Sequence, residues 1–168
     1  MARCEECSYD FESLDRDEIS REVLSLADEH RIMLAFVPLG RLRAHSRPAS
    51  WSALEYACHV RDILRFQRGR VALAQAEDTP RFVSMDRDQR AAAERYNDQD
   101  PAVVALQITA AACEFATALR VLDDDGWLRR GIYPWPAPQA RTVEWIGRRT
   151  AHELAHHLFD ERRLLNSS

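Results

Sequence analysis

The stretch AHELAHHLFDERR, residues 151–163, carries three of the chain's six histidines within six residues. On a helix that turns by about 100° per residue, His152 and His156 stand one turn apart and only ~40° around the axis, so both rings can reach one point. Ala151, Leu154, Ala155 and Leu158 continue an apolar arc beside them, which sets the pair at the border of a folded interior. His157 is turned a further ~100° and reads as a surface or packing histidine. A third imidazole, His59, lies in WSALEYACHVRDILRF on a stripe with Glu55, Ile63 and Phe66 that must also face inward. Three converging imidazoles suit a divalent ion such as zinc. Three protein ligands also leave one position for water or substrate, the arrangement of catalytic sites.

Two carboxylates flank His59. Asp62 and Glu55 could each accept a hydrogen bond from the second nitrogen of a ligating ring, or serve as the base in a hydrolysis. The competing reading is an ordinary helix in which Glu55 caps and Asp62 pairs with an arginine. Asp160 is expected to pair with Arg163 or Arg149. Cys4 and Cys7 form half of a zinc knuckle, open to three readings: a site completed by histidines or by another subunit, a redox-active or incidental disulfide, or an idle arm. Cys58 and Cys113 read as small core residues. Trp127, Tyr133 and Trp135 either line a substrate pocket or cap the end of the fold. Arg129, Arg130 and Arg141 either hold a carboxylate or form a solvated rim.

The elements that must position these groups are helical. Apolar spacing predicts a first helix from about Arg16 to Ala44, disturbed near its end by Pro38 and Gly40. SRPAS breaks the chain, and Ser52 with Glu55 three residues on reads as a capping box for a second helix to about Glu77. Residues 78–98 read as a loop with one helical turn around Gln89 to Arg95. Asp100 caps and Pro101 opens an Ala-rich third helix. GWLRRGIYPWPAPQAR holds too much Gly and Pro for a helix, and Thr142 begins a fourth that runs to about Leu165. With no repeat and no alternating strand pattern, the expected fold is all-α, a four-helix bundle over residues 16–168 preceded by an arm over 1–15.

Composition narrows the function. The 23 basic residues, all arginine, are outnumbered by 27 acidic ones, and the pI is near 5.9, which disfavours a nucleic-acid partner. No apolar run reads as a bilayer span of roughly 20 residues, and the N-terminus is acidic where a signal peptide is basic and then apolar. The cysteine spacing lacks the look of a disulfide framework. A cytoplasmic protein is expected.

Trp51-Ser52, Glu55, His59 and Asp62, followed by the HELAHH pattern, resemble the DinB-like superfamily of four-helix bundles, over nearly the whole chain from about residue 16. The resemblance implies a divalent metal, zinc or nickel, on His59, His152 and His156. It also implies thiol-dependent S-transferases and isomerases that use mycothiol or bacillithiol, and a common tendency to pair as homodimers. The expected chemistry is then that of a metal-activated thiolate attacking a small electrophile. The rivals are a non-catalytic metal- or small-molecule-binding module and a metal-dependent hydrolase.

Overall fold

The computed structural model describes residues 3–10, 13–47 and 50–166; residues 1, 2, 11 and 12 of the expected arm and 48–49 of the expected break lie outside them. Helix α1, Arg16–Phe36, begins where the Glu18 carboxylate accepts a hydrogen bond from the Asp15 N–H at 3.1 Å. It stops short of the expected Ala44 because Val37, ahead of Pro38, is extended, the conformation that a following proline enforces. A single turn, α2, Leu39–Leu42, follows. Helix α3, Ala53–Ala76, starts on the expected capping box: the Glu55 N–H donates to Ser52 Oγ at 3.2 Å, and the Ser52 N–H donates to Glu55 at 2.7 Å.

Residues 78–98 hold helix α4, Arg87–Ala93, and a 3₁₀ turn, Tyr96–Asp98. Helix α5, Pro101–Arg120, has Asp100 accepting from the Ala102 N–H, and short α6, Asp124–Leu128, is capped by Asp123. The Gly- and Pro-rich connection, expected without strands, folds into an antiparallel hairpin of β1, Arg130–Tyr133, and β2, Gln139–Thr142. Helix α7, Val143–Asn166, completes the chain.

Four long helices make the bundle. Both α1 and α3 pack against α5 and against α7, while α1 and α3 meet little and lie across a diagonal. The core comprises Ile19 and Val23 of α1, Leu54 and Leu64 of α3, Ile108, Phe115 and Leu119 of α5, and Ile146 and Leu154 of α7. By length and composition α5 is apolar enough to cross a bilayer, contrary to the sequence reading. In the fold it is a core helix whose Val104, Ile108, Phe115 and Leu119 are fully enclosed.

The hairpin forms one wall beyond the bundle. Phe82 N–H donates to Ile132 O at 3.0 Å and Ile132 N–H to Pro80 O at 2.7 Å, so the chain after α3 runs beside β1. Phe82 then lies on Gly131, where any side chain would overlap its ring.

Candidate metal and substrate site

Helix α7 distributes its histidines between two clusters. In the first, the His59 and His157 rings meet edge to face with centroids 5.0 Å apart, and Trp51 packs on His59 at the same separation. His157 is buried against Tyr56 and lies between two carboxylates: its Nε2 is 3.5 Å from Glu153 Oε2 and its Nδ1 3.5 Å from Asp160 Oδ2. Burial opposes a charge on His157, but the facing carboxylates of Asp160 and Glu153 outweigh it and raise its pKa to about 9. Burial, reinforced by the charge of His157, lowers His59 to about 3. His59 Nδ1 is buried and has no hydrogen-bond partner among the described residues.

In the second cluster, one ligand atom each from Cys4, Cys7, His152 and His156 lie within 4.8 Å of one another. The expected trio of His59, His152 and His156 is therefore divided: the latter two gather with the arm cysteines, and His59 meets His157. Both arm cysteines are free thiols in the structure, and Cys4 Sγ lies 3.7 Å from His156 Nδ1 of α7.

Asp62 and Glu55 are placed in structural roles. Glu55 caps α3 and lies 3.6 Å from His45. Asp62 is buried and accepts from Arg61 Nε at 2.8 Å, Arg90 Nε at 2.7 Å and Tyr96 Oη at 2.5 Å. Burial alone would raise its pKa, but these hydrogen bonds bring it down to about 2. Asp62 thus ties α4 and the 3₁₀ turn to α3. Asp160 pairs with Arg163 at 3.1 Å as expected. Cys58 is buried in the core, whereas Cys113 is exposed on α5, contrary to its core assignment.

A cavity of about 710 Å³ opens beside the first cluster. His59, Glu153 and Arg149 form its floor, Phe66, Met85, Tyr133 and Trp135 its apolar sides, and Arg70 and Arg87 its cationic ones. Arg149 pairs with Glu153, stacks over Trp135 at 5.4 Å and donates to His152 Nδ1 at 3.2 Å. Arg70 stacks on Tyr133 at 4.5 Å. Of the three expected aromatic residues, Tyr133 and Trp135 line the cavity, while Trp127 is buried beneath Arg16. Arg129 instead closes the C-terminus of α3 through the carbonyls of Ala74 and Glu77, and Arg141 lies over Trp145 at 4.6 Å.

Residues 5–159 match the DinB superfamily. The chain belongs to that superfamily. The fold is similar to that of YfiT from Bacillus subtilis, described as a probable metal-dependent hydrolase with an unusual four-helix bundle topology (TM-score 0.78, 18% identity, 90% of each chain). It is also similar to a mycothiol-dependent maleylpyruvate isomerase (TM-score 0.72, 17% identity), matching 89% of this chain but 62% of that one. No curated protein sequence matches the chain significantly. Glu153 is not singled out in the sequence, and His157, expected as a surface or packing histidine, is buried beside His59. Their signal was present, because HELAHH contains two overlapping pairs four residues apart, 152 with 156 and 153 with 157.

Proposed function

We propose that this DinB-superfamily chain is a metal-dependent enzyme that joins a low-molecular-weight thiol to a small anionic electrophile in the cavity beside His59, by S-transfer or thiol-assisted isomerisation. The observation that carries this reading is the cavity floor. It presents His59 with a buried, unbonded Nδ1 and the Glu153 carboxylate 3.5 Å from His157. With His157 giving up to solvent the proton that Glu153 and Asp160 favour, two imidazoles and one carboxylate form a donor set that suits a divalent cation and leaves coordination positions for small molecules. A cation held by His59, Glu153 and His157 would supply the positive charge that favours the thiolate form of a bound thiol.

The remaining work belongs to the chain. About 710 Å³ is room for two small molecules side by side. Arg149, held by Glu153, and Arg70, stacked on Tyr133, offer guanidinium groups to carboxylates of a substrate or thiol. Tyr133 is fixed by the hydrogen bond its oxygen accepts from Gln67 Nε2 at 3.2 Å, and with Trp135 and Phe66 it restricts water around the reacting groups.

A hydrolytic reading has separate support in the likeness to YfiT along nearly the whole of both chains. One experiment tests both. Zinc- or nickel-loaded protein is given mycothiol or another small thiol with a panel of electrophiles that includes maleylpyruvate and, in parallel, esters and amides without thiol. Thiol-dependent turnover that falls at least ~100-fold in His59→Ala supports transfer or isomerisation, being larger than the ~10–100-fold typical of losing a group behind a ligand. Thiol-independent hydrolysis lost in the same variant favours the second reading, and no turnover above that of His59→Ala overturns both.

A further inference from the structure

We infer that Cys4, Cys7, His152 and His156 form a second metal site, a closed zinc clamp that fastens the N-terminal arm to α7 and is separate from the cavity.

Their ligand atoms lie within 4.8 Å of one another, with Cys4 Sγ 3.7 Å from His156 Nδ1. Zinc–sulfur bonds of about 2.3 Å and zinc–nitrogen bonds of about 2.0 Å place tetrahedral neighbours roughly 3.3–3.8 Å apart, so the group needs a contraction of only about 1 Å.

The arm is folded to present both sulfurs. Ser8 N–H donates to Cys4 O and Cys4 N–H to Tyr9 O, each at 2.9 Å, and Ser8 takes φ 60, the left-handed turn that reverses the chain just after Cys7. Tyr9 anchors the loop from outside: its hydroxyl donates to Glu22 on α1 at 3.0 Å, and its ring stacks on His152 at 6.1 Å. The ring of His156 is oriented for ligation. Its Nε2 lies 3.4 Å from Glu6 and 3.6 Å from Asp160, which turns Nδ1 toward Cys4, and a carboxylate behind the ring is the usual companion of a metal-bound imidazole.

Charge and chemistry agree. Two thiolates balance a divalent cation, the two thiol protons pass to solvent on binding, and the imidazoles bind neutral. The contact from Arg149 to His152 Nδ1 gives way, and Arg149 stays held by Glu153. Four protein ligands leave no position for substrate, so the ion holds the arm and takes no part in catalysis.

The test is a titration of reduced, metal-stripped full-length protein with cobalt alone. The expected result is a thiolate-to-cobalt charge-transfer band that persists in His59→Ala and disappears in Cys4→Ser, Cys7→Ser and His156→Ala. In the same variants, protease should cut within residues 3–10 while the bundle keeps its helical circular dichroism. Absence of the band in the reduced wild-type protein, or its survival in His156→Ala, overturns the clamp. Neither result depends on turnover, so failure of the clamp is distinct from failure of the proposed activity.

Discussion

His156 and His157 are consecutive in sequence, their ring centroids are 5.6 Å apart, and they serve different clusters. His156 turns Nδ1 to Cys4, and His157 packs on His59. Asp160 joins the two, with its Oδ2 3.6 Å from His156 Nε2 and 3.5 Å from His157 Nδ1. The 100° step between neighbouring helical residues is what lets one turn of α7 face both the arm and the cavity.

Asp62 makes stability pH-dependent in acid. Its folded pKa is depressed from 3.8 to about 2, so its contribution is fully present above about pH 4 and is lost as pH falls through 2. At 1.36 kcal/mol per unit this amounts to about 2 kcal/mol. Urea unfolding should show a smaller acid loss of stability in Asp62→Asn than in the wild type; equal losses would remove Asp62 as the cause.

His30 and Glu161 form a buried contact sealed between α1 and α7, with His30 Nδ1 2.7 Å from Glu161 Oε2 and His30 Nε2 donating to Leu154 O at 3.0 Å. Both side chains are fully buried and burial raises the Glu161 pKa, so His30→Ala leaves the Glu161 carboxyl without its partner and should cost about 1–3 kcal/mol. Replacing both by leucine should cost much less. Denaturant midpoints of the single and double variants decide this.

Gly131→Ala should displace Phe82 from β1, with a loss of roughly 1–3 kcal/mol and a distorted cavity wall. The check is a thermal midpoint combined with ligand affinity, both of which should fall.

Trp135 offers the opposite case. It is 64% exposed yet lines the cavity beneath Arg149, so Trp135→Ala should raise KM several-fold while stability changes by less than about 0.5 kcal/mol. A large stability loss would make it a structural residue.

Caps and apolar periods made the bundle legible in the sequence, because Ser52 with Glu55 and Asp100 with Pro101 act within a single turn. The hairpin escaped notice since strands of four residues, interrupted by Gly131 and followed by Pro134, carry too little alternation to detect. The pairing of histidines was hidden for a different reason. Spacing places 152 with 156 and 153 with 157 equally well, and only the packing of α3 against α7 selects which pair His59 meets. The destination of Cys4 and Cys7 is set by contacts about 150 residues away, which no local pattern encodes.

The central claim, that the cavity's metal rests on His59, Glu153 and His157, is tested most directly by comparing turnover in His157→Ala and His156→Ala, both metal-loaded. A loss of at least ~100-fold is expected in His157→Ala, with activity within about 10-fold of wild type in His156→Ala. The reverse pattern, with His156 essential and His157 dispensable, would contradict it and return the site to His59, His152 and His156.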